Sequence, residues 1–375
     1  MKEHPRAKIE FWTDRKYFKN AQKIVFDGGL SIRVRKVSAG KLRRYSTFKF
    51  ADYLRNFDVV IKNVVDFFKV VFGFIQSFFR LIINRPDVIF MKGGYVCLGT
   101  GLAARVLRIK YVVHDSDTVP GLTNRMIAGG ARKIATGMPL EYYHYPEDKA
   151  VWTGIPVAED FSPVSASRQR EIKKDLGFDP SWPLVVVVGG SQGSQHINYA
   201  IREILPNLLK KTSLMLVAGR ARYQEMIDLK SYENWEDGKL QSNFRMIEFS
   251  ANMAELFGAA DVVVSRAGAS TMTELSAMEK AVVMVPFGAL PGKHQVKNAE
   301  AYAKAKAALV VQDEDMEKDS SLLEKAILKL VRDDELRAAT AKNLRDFSKG
   351  DAAERLAEIV YEIGSEKKEK KEKKS

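Results

Sequence analysis

The sequence predicts an α/β protein of two domains, each a parallel sheet covered by helices on both faces. Three observations predict it. Short β-branched runs alternate with helical patterns along the chain. The runs are continuously apolar rather than alternating, as expected of strands buried on both sides. Two such series are separated by Ile155 to Pro183, a charged stretch punctuated by prolines and without a long apolar run. The 375 residues, 46% hydrophobic and 29% charged, suffice for two cores and exclude a disordered or fibrous chain. We therefore expect a first domain over 1–154, a connection over 155–183, a second domain over 184–365, and a charged, frayed tail over 366–375 (EKKEKKEKKS).

The first series opens with IEFW near Ile9, followed by DVIFM from Asp87 and YVVH from Tyr111. Before DVIFM lies Val59–Asn84, whose polar positions (Lys62, Asp66, Lys69, Gly73, Gln76 and Ser77, Arg80, Asn84) recur in steps of three and four. That spacing makes one narrow polar stripe on a helix otherwise made of Val, Phe, Ile and Leu. Asp66, Lys69 and Arg80 argue against a membrane-spanning helix. Two readings stand: a helix buried against its sheet, or one whose Phe-rich surface, beside Lys41, Arg43, Arg44, Lys49 and Arg55, dips into an anionic membrane. Residues 1–110 hold 23 Lys and Arg against 8 Asp and Glu, out of a whole-chain net charge of +13. Such a surface suits nucleic acid or anionic lipid.

Two glycine-rich passages follow the first-domain strands. KGGYVCLGTGLAA (Lys92–Ala104) is strand, loop, helix, and HDSDTVPGLTNR places His114, Asp115 and Asp117 at a strand end. Asp115-Ser116-Asp117 resembles an acidic metal-binding pair, but no further ligand cluster accompanies it, and we expect no metal. Cys97, the lone cysteine, excludes an internal disulfide and reads as a small buried hydrophobe. The start, MKEHPRAKIEFW, lacks a signal-peptide core, so a cytosolic location is expected.

The second series runs LVVVVGG from Leu184, LMLVAG from Leu214, DVVVSRAG from Asp261, VVMVPF from Val282 and ALVVQ from Ala308. Leu184 begins the strongest local signal, a buried strand passing into Gly189, Gly190, Ser191, Gln192, Gly193 and Ser194 and then a helix. Glycines allow close backbone approach, and a helix N-terminus offers free N–H groups, which suits a phosphate. The spacing fits neither a Walker A loop nor GxGxxG, and tight packing alone also accounts for such a turn. Arg266 and Gly268 follow the next core strand, and Glu274 lies where its carboxylate can accept hydrogen bonds from a ribose diol, or simply complement a helix dipole. PFGALPGKHQVKNA puts His294, Gln295 and Asn298 on the opening turns of a helix, groups of the kind a sugar needs.

GGSQGS with Asn198, SRAGASTMTEL, HQVKNA, HDSDTVPGLTNR, KGGYV and AGKLRRY, in that combination from about Ile9 to about Val311, resemble the MurG family. These are the UDP-N-acetylglucosamine:lipid-I N-acetylglucosaminyltransferases of peptidoglycan synthesis. The resemblance implies two Rossmann-like domains of the GT-B glycosyltransferase type facing each other across a cleft, and a location on the cytoplasmic face of the membrane. It implies donor contacts from Ser191, Gln192, Gly193, Ser250, Arg266, Glu274, His294 and Gln295, with the Phe249–Ser250 backbone facing uracil. Acceptor contacts are implied for Gly93, Gly94, Tyr95, Asp117 and Asn124. The implied partners are UDP-GlcNAc, lipid I and an anionic inner-membrane surface, with no nucleic acid, cofactor or metal.

The chain departs from the family in three places. It has neither the opening strand nor the GGTGGH loop whose histidine is the favoured base, so His114 and Asp115 are the fallback bases and an interrupted first sheet is expected. The family's HEQN reads HDSD, and its TGNPVR reads TGIPVA, with Ala158 where an arginine is expected. Two other readings remain: a related UDP-sugar enzyme with a different acceptor or epimerase activity, and a non-catalytic UDP-sugar-binding scaffold. AGKLRRY and PGLTNR favour the lipid-linked acceptor.

Overall fold

The computed structural model describes residues 7–41, 57–190, 192–234, 243–289 and 291–372. In the first half, β1 (Glu10–Thr13), α1 (Phe18–Asp27) and β2 (Arg33–Lys36) precede a long α2 (Phe57–Ile83). Then come β3 (Ile89–Met91), α3 (Cys97–Val106), β4 (Tyr111–Asp115), α4 (Leu122–Ile127), β5 (Lys133–Thr136) and β6 (Ala150–Trp152). All pairings are parallel. Among the described residues the half contains two separate sheets, β1-β2 and β3-β4-β5-β6.

The second half begins with α5 (Ala166–Asp175), capped by Ser165, whose hydroxyl accepts from the Arg168 N–H. The strands are β7 (Leu184–Val188), β8 (Ser213–Val217), β9 (Phe244–Ile247), β10 (Val262–Ser265), β11 (Ala281–Met284) and β12 (Leu309–Val310). They form one parallel sheet ordered β12-β11-β10-β7-β8-β9. Strand order reverses between β7 and β10, the place where doubly wound sheets bind ligands. The helices are α6 (Gln195–Leu208), α7 (Met253–Ala259), α8 (Ala269–Ala277), α9 (His294–Lys304), α10 (Asp313–Lys318), α11 (Ser321–Arg332), α12 (Asp334–Arg345) and α13 (Ala352–Glu372). Every residue of β7, LVVVV, is buried, with Val186 facing one core and Val185 and Val187 the other.

Two boundaries differ from expectation. The connection is shorter than 155–183, because Ile172 of α5 and Phe178 are buried in the second-half core. The tail is not frayed from 366: α13 continues to Glu372 and crosses back to the first half. There Lys110 Nζ donates to the Ile363 carbonyl at 2.7 Å, and Glu366 pairs with Lys110 and Arg132, each at 3.0 Å. Cross-chain partners supply the order that a charged run lacks on its own.

Helix α2 is turned the opposite way from an ordinary covering helix. The centre of its polar stripe faces the protein, with Ser77 0% and Asp66 4% exposed, alongside the core residues Val70 and Leu81, while Lys62 and Lys69 stay outside. Gln76 Oε1 accepts from the Ser38 N–H, Arg80 donates to the Lys36 carbonyl, and a Cβ on Gly73 would lie 2.0 Å from the Ser38 carbonyl. Only glycine permits that approach. The Phe-rich face is left outside, with Phe68, Phe72, Phe79 and Ile83 exposed.

Candidate functional site

The phosphate-type loop sits at the β7–β10 reversal. Gly190 and Gly193 adopt left-handed φ values of 88° and 77°. A Cβ on Gly193 would stand 2.1 Å from the Ala218 carbonyl, so the chain closes tightly against the end of β8 and leaves the N-terminal amides of α6 facing outward. Ser194 caps α6, its hydroxyl accepting from the Ile197 N–H at 3.3 Å. Ser191 lies outside the described residues; Gln192 is exposed beside it.

Arg266, at the end of β10, is a brace behind the loop rather than an open donor-pocket cation. Nη1 donates to Asp313 Oδ1 (2.5 Å) and to the Val285 carbonyl (3.2 Å), Nη2 donates to Ser194 Oγ (2.5 Å), and the guanidinium lies over the Phe287 ring. Its side chain is only 12% exposed, and the Asp313 carboxylate offsets much of the cost of burying that charge. Asp313 also accepts from His196 Nδ1 (2.7 Å), while His196 Nε2 faces Glu317 (3.1 Å). His196, Asp313 and Glu317 are the candidate metal cluster among the described residues. The carboxylates meet opposite ring nitrogens of His196 and Asp313 also holds Arg266, so these side chains are already engaged with one another.

Glu274, in α8, is half-buried without an ionic or hydrogen-bond partner among the described residues, and burial pushes its carboxyl pKa up. Such a carboxylate is able to accept hydrogen bonds from a ligand's hydroxyl groups. His294 and Gln295 open α9, entered through Gly292 and Lys293 in left-handed conformations. Gln295 Oε1 accepts from the Phe287 N–H (2.9 Å), leaving its Nε2 to donate elsewhere. Phe249 and Ser250 follow β9; Ser250 Oγ accepts from the Asn252 N–H, and the Arg220 guanidinium sits 4.1 Å from the exposed Phe249 ring centre. Asn298 is buried, and three of its four amide hydrogen bonds go to Asp117 and Thr118 of the first half, the fourth to the Ala267 carbonyl.

On the first-half side, Gly93 and Gly94 have φ values of 87° and 77°, and a Cβ on Gly93 would collide with the Asn124 amide at 2.9 Å. Asn124 is 2% exposed; Nδ2 donates to the His114 carbonyl and to Asp115 Oδ1, and Oδ1 has no partner. That orphan acceptor beside a glycine cradle is the feature of this half that asks for a ligand donor. The fallback bases do not open on the cleft. His114 is 0% exposed, Nε2 meets the Gly154 carbonyl at 2.9 Å, and burial lowers its pKa. Asp115 is buried and accepts from Asn124, Tyr145 and the Gly121 N–H; burial raises its pKa against those bonds. Asp117 Oδ1 accepts from Asn298, and Tyr95 donates to Asp14, so neither of these predicted acceptor groups is free.

This geometry has relatives. Residues 31–136 match the glycosyltransferase family 28 N-terminal domain, and residues 184–356 match the family's C-terminal domain. Curated relatives include the UDP-N-acetylglucosamine:N-acetylmuramyl-(pentapeptide) pyrophosphoryl-undecaprenol N-acetylglucosamine transferase of Lachnospira eligens, 32% identical over 79% of this chain and 76% of that one. The chain belongs to the MurG family. A second MurG-type relative, from Lachnoclostridium phytofermentans, is 31% identical over 78% of this chain and 76% of its own. The crystal structure of Acinetobacter baumannii MurG superposes with a TM-score of 0.70 at 21% identity, covering 96% of this chain and 92% of that one. A UDP-GlcNAc 2-epimerase from Neisseria meningitidis shares the fold at TM-score 0.57 and 14% identity, over 94% and 99% of the two chains. MurG-family membership makes the protein a glycosyltransferase built from two Rossmann-like domains of the GT-B type.

The sequence reading missed Asp313, His196 and Asp14. Asp313 braces Arg266 from 47 residues away, and no local spacing announces such a pair.

Proposed function

We propose that this chain transfers N-acetylglucosamine from UDP-GlcNAc to the MurNAc 4-hydroxyl of lipid I, giving lipid II with inversion and without metal. The half-buried, unpartnered carboxylate of Glu274, in the domain whose glycine loop leads into the braced Ser194 cap, carries the reading. Glu274 accepts the ribose hydroxyls, the α6 amides and the Gly190–Gly193 loop bind the diphosphate, and the same amides stabilise charge on departing UDP. His294 and Gln295 bind the sugar, and the Phe249–Ser250 backbone faces uracil. On the other side, Gly93, Gly94 and the orphan Asn124 Oδ1 take the lipid-linked acceptor.

The inverted α2 brings that acceptor within reach. Its outward Phe and Ile side chains insert among lipids of the cytoplasmic membrane face, and the basic first half adds attraction to anionic headgroups. Lys41 is exposed at the start of the basic segment; Arg43, Arg44, Lys49 and Arg55 lie outside the described residues. Among the described residues no helix is long and apolar enough to cross a membrane.

Incubating the chain with radiolabelled UDP-GlcNAc and lipid I in detergent micelles tests the assignment. Label appearing in lipid II is expected. Label remaining in a nucleotide sugar of changed stereochemistry, or UDP-GlcNAc bound without turnover, overturns it.

A further inference from the structure

Arg220 follows β8, and its place is fixed at both ends of the residue. At the backbone, Gly219 has a left-handed φ of 90°, and a Cβ there would stand 2.3 Å from the Gly193 Cα, so the chain leaving β8 is pressed against the glycine loop. The Gly219 N–H donates to the Glu248 carbonyl at 3.0 Å, and its own carbonyl accepts from the Arg222 and Tyr223 N–H groups, which ties the turn to the end of β9. At the side chain, the guanidinium lies 4.1 Å from the centre of the Phe249 ring, which is itself 45% exposed. Among the described residues no carboxylate pairs with Arg220, although Glu248 is exposed beside Phe249 and the neighbouring Arg222 pairs with Glu225. Arg266 is the contrast, a guanidinium closed in by Asp313, Ser194 and the Val285 carbonyl.

We propose that Arg220, planted on Phe249, is a specificity-determining residue of the donor site, whose N–H groups read the carbonyl edge of the base and select a uracil nucleotide over a cytosine one. The inference rests on the donor reading above, in which the Phe249–Ser250 segment faces the base. Strand order runs β10-β7-β8-β9, and the diphosphate loop follows β7. By leaning on Phe249, beyond β9, the Arg220 side chain is carried away from the β7–β10 reversal and toward the base. A guanidinium laid on an aromatic ring is held in one plane, and its in-plane donors stay available to a ligand. Those groups can only donate. A pyrimidine with a carbonyl O4 satisfies them, whereas cytosine presents an amine donor at the same position. A site built to complete a hydrogen bond rejects the analogue that leaves it unmade.

Calorimetric titration of the full chain compares UDP, CDP and uridine, the last by displacement of UDP, with inorganic pyrophosphate as the phosphate probe. The parent should prefer UDP to CDP by about tenfold, the discrimination expected of a hydrogen bond to a charged group. Arg220→Ala should weaken UDP and uridine by the same factor, again about tenfold, while CDP and pyrophosphate change less than twofold. Arg220→Lys keeps the charge without the planar fork and should not restore the preference. Phe249→Leu should reproduce part of the loss, and adding Arg220→Ala to it should cost less than in the parent, because the two side chains act as a unit. Arg220 is exposed, so its variants should keep the parent's melting temperature. No titration needs lipid I or turnover, so a chain that discriminates UDP from CDP through Arg220 without transferring sugar fails the transferase reading and keeps this one. UDP and CDP weakened alike, UDP weakened with uridine unchanged, UDP affinity within twofold of the parent in Arg220→Ala, or a parent that binds neither nucleotide overturns the proposal.

Discussion

Tyr95 donates its phenolic hydrogen to Asp14 Oδ2 at 2.6 Å, tying the glycine loop after β3 to the end of β1 across 81 residues of sequence. The two strands belong to separate sheets among the described residues. Asp14 is 8% exposed and its other oxygen accepts from the Tyr17 N–H. Tyr95→Phe should therefore destabilise the fold by about 1.5–3 kcal/mol, the worth of a hydrogen bond to a charged group, with UDP affinity unchanged. Urea denaturation measures it; unchanged stability with weakened lipid-I binding would return Tyr95 to the acceptor site.

Glu274→Ala should weaken UDP binding by about 1.5–3 kcal/mol in calorimetric titration. Because burial raises the folded pKa above the unfolded one, ionised Glu274 costs stability at neutral pH, and the cost disappears as pH falls below the ordinary value of 4.5. Glu274→Gln should accordingly raise the melting temperature slightly at pH 7 while still impairing UDP binding. Full UDP affinity in Glu274→Ala removes the residue from the site.

Much of this was legible in the sequence, and the exceptions have a common cause. The continuous LVVVV of β7, the glycine loop behind it and the helical period of Val59–Asn84 are local signals, and each element stands where its spacing put it. The direction in which α2 faces was open, because a helix apolar on most of its circumference reads equally as one buried against its sheet or as one that turns its Phe-rich surface to a membrane. Gly73 against Ser38 decides it, and that contact joins segments far apart in sequence. Arg266 and Asn298 stood out as polar residues near the cleft; their partners, Asp313 and Asp117–Thr118, belong to other elements, and no periodicity links them.

UDP-GlcNAc should bind equally well in EDTA and in Mg²⁺ or Mn²⁺. Asp115 already accepts three hydrogen bonds and Asp117 is engaged by Asn298, so the acidic pair is not arranged to share a cation. A tenfold gain with metal that Asp115→Ala abolishes would contradict this.

His114 is held neutral by burial, with its folded pKa below the unfolded value near 6.5. Its contribution to stability is complete above that value and is lost as pH falls through it, since the unfolded chain then binds a proton the folded one refuses. His114→Gln should flatten the stability profile between about pH 7 and 5. A parallel profile in the variant would place the titration elsewhere.

Vesicle flotation should show binding that rises with anionic lipid and falls with salt, because charges at the surface are screened within about 10 Å at 0.1 M. Phe68→Ser combined with Phe72→Ser should abolish it without changing UDP affinity. Equal binding to neutral and anionic vesicles would confine the attraction to the apolar face of α2.

The chain passes between the halves twice, and the two passages run side by side: Lys349, on the way into α13, places its ammonium 3.8 Å from the Trp152 ring centre and packs its stem against Gly154 of the outgoing passage. The outgoing and returning passages are thus braced against each other where the halves join, and the returning helix is tied to Lys110 and Arg132 of the first half, so the chain fastens its two halves together at both crossings.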